Sequence, residues 1–538
     1  MPNKDSPLFK LTLDLTNLYR SCDQEYPFTP INPNLGKILT KLSTGVSNNG
    51  RDNENGDFIF RVGDIIAATD SMGNLRGRKY EVETLLGAGS FGQVLRCVQR
   101  DTYQVFAVKV IKNLPAYTKQ AAVENRVLSD LLVADPNDES HMLRLIEQFT
   151  FHNHFCFVNE LLGLDLYAVL KQHKFKGFSL SLISKIVKQI LRALCVCKDI
   201  GLIHSDLKPE NILLDHCLPH IKVIDFGSAA YEGHTVFTYV QSRYYRSPEV
   251  LLQIPYNSCI DMWSVGCITA ELFIGHPLFP GCTEHDQIDR ITSMLGALPH
   301  EMIKIGKKST RFYVNDSTKP HGYRLSTTEE YQARTQDKRQ PRKYGYIQPT
   351  LEQTIEAHQI KHSRDGTSLL DRPEFQIFLH FIKSCLQPFP DKRLVPHQAL
   401  LHPFITGGKD MKELKEWKPP LYVPHPPYTP HPNGRQRDPN LSSMHSSTLT
   451  QTFQGSERRG LFAGALAQTQ QSHSELPPLS LQPPTGFSSV SKRPQTHQAT
   501  EREEKKRNDE RREEEQKVEE EPTGKRRSSF KDFFRRKN

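Results

Sequence analysis

Apolar residues are scarce in this 538-residue chain: 37% are hydrophobic, low for a chain that folds throughout, and only two are tryptophan. The shortfall points to sizeable polar segments outside an ordinary core. No eighteen apolar residues run together, and Met1 to Asp14 lacks a long apolar stretch. Neither a spanning helix nor a secretory leader is therefore indicated, and a soluble, intracellular protein is expected. The ten cysteines have no framework of short spacings, which argues against a disulfide-built secreted domain. Cys195 and Cys197 form a C-x-C, but within the apolar helical run Ile190 to Ile200 and with no second pair nearby, so packing is favoured over metal binding. Charge of one sign is also missing from the body. Of the net +9, +6 comes from Lys525 to Lys537 alone. No direct contact with nucleic acid is expected from so neutral a remainder.

What is present falls into zones. Residues 1–79 are mixed and polar, with the stretch Asn48-Asn49-Gly50-Arg51-Asp52-Asn53-Glu54. From Tyr80 short β-branched or alternating runs follow: Tyr80 to Leu86, Gln93 to Val98, Val105 to Ile111 and Phe155 to Val158. One helical pattern, Lys119 to Leu132, interrupts them, which predicts a small β-rich lobe carrying one helix. Between Leu166 and Ile405 helical patterns dominate, such as Leu182 to Ile200 and Ile260 to Gly275, broken by a polar, irregular insert at about 305–366. Residues 406–538 are rich in Pro, Ser, Gln and His, as in Pro424-His425-Pro426-Pro427, and read as a disordered tail. It includes the almost wholly charged Glu501 to Glu521 and ends on a basic segment.

Three strings carry chemistry. Gly87-Ala88-Gly89-Ser90-Phe91-Gly92-Gln93-Val94 is a glycine loop whose backbone N–H groups can approach phosphate oxygens closely. Alone it is weak evidence, yet a strand follows it rather than a helix, against a dinucleotide fold. Seventeen residues beyond Gly92 stands Lys109, at the end of Ala107-Val108-Lys109, with Glu124 on the next helix to orient it. The third string is Ile203-His204-Ser205-Asp206-Leu207-Lys208-Pro209-Glu210-Asn211, followed by Asp225-Phe226-Gly227. Phosphoryl transfer needs a carboxylate to take the proton of the attacking hydroxyl and oxygen ligands for magnesium. Asp206 fits the base, Asn211 and Asp225 the metal ligands, and Lys208 the neutraliser of the transferring phosphate.

In this order the strings resemble the protein-kinase family. Ser247-Pro248-Glu249, Asp261-Met262-Trp263-Ser264-Val265-Gly266 and Arg393 extend the match across about Tyr80 to Ile405. The resemblance implies an α+β bilobal protein kinase fold, with ATP and Mg2+ as cofactors and protein as substrate. Val94, Ala107 and Leu213 would sandwich adenine against the hinge Glu160-Leu161-Leu162. Lys208-Pro209-Glu210 is similar to serine/threonine kinases.

The loop Phe237 to Arg246 resembles the dual-specificity tyrosine-regulated (DYRK) family of the CMGC group, and more closely its Yak-type subfamily. Leu11 to Asn17 and Asn48 to Phe60 look like segments that family carries ahead of its kinase domain. This likeness implies cis autophosphorylation on Tyr239, with Arg243 and Arg246 as ligands of the phosphate. It also implies Ser-Pro or Thr-Pro target sites and a monomer. Ser205 replaces the usual arginine of H-R-D, and Asn159 stands where a phenylalanine gatekeeper is usual, which should widen the pocket behind adenine. The basic tail from Lys525 suggests an import receptor or anionic membrane as partner, and cytoplasm and nucleus as location. A catalytically silent pseudokinase scaffold is the alternative reading, though none of Lys109, Asp206 and Asp225 is lost; a small-molecule kinase would lack the run from Tyr239 to Glu249.

Overall fold

Alternating burial along Gly92–Gln99 and Val105–Ile111 marks strands with one face on a core and one toward the surface. In the computed structural model, which describes residues 34–233, 238–319, 322–360, 372–408 and 410–423, they belong to a six-stranded antiparallel sheet. Its strands are β1 (Ile65–Thr69), β2 (Leu75–Ala88), β3 (Gly92–Gln99), β4 (Val105–Ile111), β5 (Leu145–Phe151) and β6 (His154–Glu160), in the order β1-β2-β3-β4-β6-β5. Helix α1 (Pro115–Ala134) follows β4 and begins on a proline, whose missing N–H costs nothing in a first turn. Residues ahead of Tyr80 are part of this lobe. Phe60 and Ile66 join Tyr80, Val82, Leu95 and Val108 in its core. Asp52, fully buried, is held by His154 Nε2 at 2.9 Å, Asn113 Nδ2 at 2.9 Å and Asn48 Nδ2 at 3.0 Å. A buried carboxylate left without such partners would cost several kcal/mol, so the segment from Asn34 is fastened to the sheet rather than lying beside it.

The second lobe is helical. After α2 (Leu166–Gln172), α3 (Leu180–Asp199) buries Ile183, Ile186, Val187, Ile190, Leu191 and Leu194, the spacing of a single apolar face, and Ser179 caps its first turn. Four short strands, β7 (Leu202–Ile203), β8 (Ile212–Leu214), β9 (Ile221–Val223) and β10 (Ala230–Tyr231), carry the loops of the cleft as two antiparallel pairs. Helices α4 (Pro248–Leu251), α5 (Cys259–Ile274) and α6 (Glu284–Leu295) follow. Every residue of α5 is buried, so it forms the axis of the lobe. Gly275 ends it at φ 84, where a Cβ would meet the Phe175 carbonyl oxygen at 1.9 Å.

Two expectations change here. The insert expected to be irregular is largely folded: α7 (His300–Ile305), α8 (Ser309–Phe312), the hairpin β11 (Tyr313–Asn315) and β12 (Tyr323–Leu325), α9 (Thr328–Thr335) and α10 (Leu351–Ile360). Phe312, Tyr331, Tyr346, Leu351 and Ile355 from this stretch join the main core. They are too widely spaced among charged residues to show a period. Beyond α11 (Pro373–Cys385), α12 (Pro396–Leu400) and α13 (Pro403–Thr406), the expected tail boundary at 406 also moves. Helix α14 (Met411–Glu416), capped by Asp410, is followed by Trp417, whose indole N–H donates to Leu401 O at 2.9 Å. The masking of hydrophobic signal by Lys and Glu in this short helix hid it from a composition reading. Leu11 to Asn17, Phe237 and the tail segments from Pro424 lie outside the described residues. Among the described residues no helix is long and apolar enough to cross a membrane.

Trp417 closes over a histidine pair. His402 Nδ1 accepts the Phe404 N–H at 3.0 Å, so its Nε2–H donates to His380 Nδ1 at 2.8 Å. Burial, and then His380, depress His402 from about 6.5 to about 3. A base whose folded value is depressed contributes stability that is whole above 6.5 and is lost as pH falls toward 3. Denaturant titrations should therefore show stability falling by about 1.4 kcal/mol per pH unit below 6.5 on this account, with His402→Gln flattening that slope.

Candidate active site

The two lobes meet at a cleft of about 870 Å³. Gly87, Ala88, Gly89, Ser90, Phe91 and Gly92 form its roof, between β2 and β3. A Cβ on Gly92 would lie 2.0 Å from the Val110 carbonyl oxygen, so glycine is required there for close backbone approach. Phe91 packs edge-on against Tyr117 of α1 at 5.9 Å, which holds the tip of the loop. Strand register supplies the walls: Val94 faces Lys109 and Ala107 faces Asn159 across the sheet. Val94, Ala107, Leu162 and Leu213 all line the cleft. Glu160 lines it too, but its carboxylate accepts from Lys222 at 2.7 and 2.9 Å, so any hinge contact to a ligand is made by backbone.

Lys109 donates to Glu124 at 2.6 Å and to Asp225 at 3.3 Å. Burial would lower its ammonium, yet Glu124 and Asp225 outweigh that and hold it above the ordinary lysine range, so it is cationic. Asp225 is raised by burial, but Lys109, Lys208 and His204 together pull it down to about 2. It sits at φ 63, a left-handed conformation rare outside glycine, so the surrounding contacts hold it against strain. Gln120 of α1 donates to the Gly227 carbonyl, and Phe226 packs on His204 at 4.9 Å, tying this turn to both lobes.

Asp206 is held from four directions. Lys208 Nζ reaches Oδ2 at 2.6 Å, and Asn211 Nδ2 reaches the same oxygen at 3.3 Å. Ser242 N–H and its hydroxyl both donate to Oδ1, at 3.1 and 2.9 Å. Asn211 Nδ2 also donates to Asp206 O at 2.8 Å, which turns the amide oxygen of Asn211 the other way. The turn itself hangs on Asp261 of α5, which accepts the N–H groups of His204 at 2.8 Å and Ser205 at 3.0 Å. Burial raises Asp261 to about 6 against these bonds.

The activation segment sits below. Arg246 lies 4.1 Å over the Tyr239 ring, and Lys308 is 5.9 Å from it. Both cations reach Glu284, at 3.4 and 3.3 Å. Arg243, the other residue expected as a phosphate ligand, is buried, with Nη1 donating to Cys282 O at 3.1 Å and Gly281 O at 3.4 Å. Ser242, Glu284 and Lys308 were not foreseen from the sequence, and Asp261 only as part of a motif. No spacing signal marks them, because their roles arise from contacts 36 and 24 residues apart in sequence.

The arrangement can bind a nucleotide triphosphate, hold a metal and position a hydroxyl, all within one cleft. The model of the protein kinase domain matches residues 80–405. The chain belongs to the protein kinase family. This kinase is 42% identical over 419 residues to serine/threonine-protein kinase ppk15 of Schizosaccharomyces pombe, covering 77% of each chain. It is 40% identical over 456 residues to dual specificity protein kinase YAK1 of Saccharomyces cerevisiae, covering 82% of this chain and 55% of that one. Homeodomain-interacting protein kinase 2 of Mus musculus is 40% identical over 333 residues, 61% of this kinase and 28% of the relative. The kinase thus stands with the Yak-type and DYRK-family enzymes of the CMGC group. It spans three quarters of the first of these relatives but about half or less of the others. As a protein kinase it uses ATP and a divalent metal ion to phosphorylate protein. Asn211 and Asp225 suit that ion, since both line the cleft and offer the hard oxygen donors such cations prefer.

Proposed function

We propose that this chain is a magnesium-dependent serine/threonine kinase directed to Ser-Pro and Thr-Pro sites and matured by cis autophosphorylation on Tyr239. The observation that carries the proline preference is Gln241. Its backbone is left-handed, φ 63, and its carbonyl oxygen accepts Arg246 Nη2 at 2.7 Å and Nε at 3.2 Å. That oxygen is thereby turned into the protein. The residue after the phosphoacceptor meets no backbone acceptor there, so an N–H at that position is left unpaired while proline, which has none, loses nothing. An unpaired group costs about 1–3 kcal/mol. On a peptide array, replacing the +1 proline with alanine should lower kcat/KM about tenfold or more. Equal rates for both peptides would remove the preference.

Asn211 and Asp225 would hold a bound magnesium ion, which would supply screening of the charge on the transferring group. The protein's share is positional. Asn211 and Asp225 offer the metal oxygens, and Lys109, aligned by Glu124, holds the α- and β-phosphates. Asp206 receives the substrate hydroxyl's proton, and Lys208 stands ready beside the γ-phosphate.

Regulation follows from charge. A phosphate on Tyr239 adds about −1.5 to −2 charge at the point where Arg246 and Lys308 converge. It competes with Glu284 for both cations and fixes the loop that carries Gln241 and Ser242. Tyr239→Phe, purified from bacteria, should phosphorylate peptide about tenfold more slowly, a difference of about 1.4 kcal/mol. Full activity in that variant would sink the loop-phosphate account without touching the catalytic one.

A further inference from the structure

Residues after α14 leave a segment that catalysis does not use. Lys418-Pro419-Pro420-Leu421-Tyr422-Val423 runs over the helical lobe, anchored at both ends and open between. At one end the Trp417 ring sits 4.6 Å from His402, edge to face, with its N–H on Leu401 O. At the other the Tyr422 ring stacks on His397 at 5.1 Å. His397 in turn reaches Asp199 at 3.2 Å. Burial, and then the charges of Asp199 and Glu232, raise the Tyr422 phenol, which is thus seated against the lobe. Between the anchors one protein bond is made to the backbone, Gln398 Nε2 to Pro420 O at 2.7 Å. Lys418, Pro419 and Pro420 are exposed, Leu421 is 91% exposed and Val423 70%.

We propose that Pro419-Pro420-Leu421-Tyr422 is a docking motif for a WW-type domain of a partner protein. Two successive prolines fix φ near −65° and have no N–H to donate, so the segment is already inclined to polyproline II. Such a helix repeats every three residues, which places Pro419 and Tyr422 on one ridge. Aromatic-lined grooves bind ridges of this kind because the peptide loses little conformational entropy on docking. The P-P-x-Y order is what a WW groove reads, one aromatic clamp taking the proline pair and a second pocket taking the tyrosine. An SH3 groove reads P-x-x-P instead, and that pattern is absent from residues 418–423. Leu421 is a large apolar side chain with almost all its surface in water, beside exposed proline rings. A partner groove would cover the proline rings, apolar surface otherwise left in water, while Leu421, at the variable position of the motif, stays on the third, outward ridge. Docking and the present structure compete for one residue: Tyr422 must leave His397 to enter a partner pocket.

The test titrates the full-length kinase with a purified recombinant WW domain of the P-P-x-Y-binding class, followed by isothermal calorimetry. Saturable one-to-one binding is expected. Tyr422→Ala and Pro420→Ala should each weaken it about tenfold or more, as loss of an aromatic or central anchor does, while melting curves and peptide phosphorylation stay as in the wild type. His397→Ala frees the tyrosine ring and should tighten binding. Unchanged affinity in Tyr422→Ala overturns the proposal. So does binding by an isolated 416–424 peptide but not by the full-length chain, because the motif would then be closed off in the folded protein. Capture of an SH3 domain in place of the WW domain, lost on Pro424→Ala, would assign the surface to the adjoining Pro424 to Pro427 run and also overturn it.

Discussion

Asp206→Asn is expected to lower turnover by about 10²- to 10⁴-fold while leaving nucleotide binding close to that of the wild type. The substitution keeps the size and planarity of the side chain. Ser242 can still donate to the amide oxygen, and Lys109, Asn211 and Asp225 are untouched. What is lost is the negative charge that accepts the hydroxyl proton. Lys208 also loses a 2.6 Å carboxylate partner and is freed to swing toward the phosphate. The effect should therefore fall on kcat, with KM for ATP nearly constant. Single-turnover measurements beside fluorescent-nucleotide titration would separate the two. Near-normal turnover would remove Asp206 from its role, and absent turnover in both proteins despite nucleotide binding would return the scaffold reading to the front.

A second, smaller expectation concerns Ser242. Both of its donors point at Asp206 Oδ1. Ser242→Ala removes the hydroxyl bond and keeps the backbone one, so a loss of about tenfold to a hundredfold in kcat, the equivalent of one hydrogen bond to a charged group at about 1.5–3 kcal/mol, is the expected scale. It should be read with the pH dependence of kcat, since a residue that only packs would leave that profile in place.

The catalytic strings were legible because phosphate chemistry demands particular residue types at fixed local spacing. Gly92 must be glycine beside Val110 O, and Lys109 must lie one strand away. Asp206, Lys208 and Asn211 share a single turn. Long periodic elements were legible for the same local reason: the apolar face of α3 and the apolar run of α5 declare themselves in one window. Other features depend on contacts that no window contains. Strand β5 was not legible because Leu145-Ile146 and Glu147-Gln148 break the alternation of so short a stretch, and its pairing with β6 decides its state. The insert was misread because Phe312, Tyr331 and Tyr346 reach the core one at a time. The surroundings of Tyr239 depend on such contacts too. The family likeness named Arg243 and Arg246; the fold seats the Arg243 Nη1 against the carbonyls of Gly281 and Cys282, and the folded insert brings Lys308 to the Tyr239 ring from the far side.

Arg393→Met should destabilise the kinase by about 3–5 kcal/mol, the largest loss of stability expected from any single change outside the hydrophobic core. Arg393 Nη1 meets Glu249 Oε1 at 2.6 Å and Nη2 meets Oε2 at 2.7 Å, a two-pronged pair with both side chains fully buried. The remaining donors are also used, on Cys259 O at 3.0 Å, Pro388 O at 2.8 Å and Gln387 O at 2.6 Å. The guanidinium lies 5.2 Å from the Trp263 ring as well. Glu249 is on α4, just after the loop that holds Tyr239 to Arg246, whereas Arg393 comes from the far end of the domain. One ion pair thus fastens the substrate-binding loop to the last helices across 144 residues of chain. Removing the arginine leaves a fully buried carboxylate without its counter-charge, and that uncompensated charge, rather than the lost bond, dominates the cost. Glu249→Gln alone should be nearly as harmful, because it strands the guanidinium. The double change Arg393→Met with Glu249→Gln should recover a good part of the loss, since neither charge remains buried. Equilibrium denaturation of the four proteins closes the cycle. Strict additivity of the two single effects would show that the pair is not coupled, and the loop would then owe its position to Arg246 and Gln241 instead.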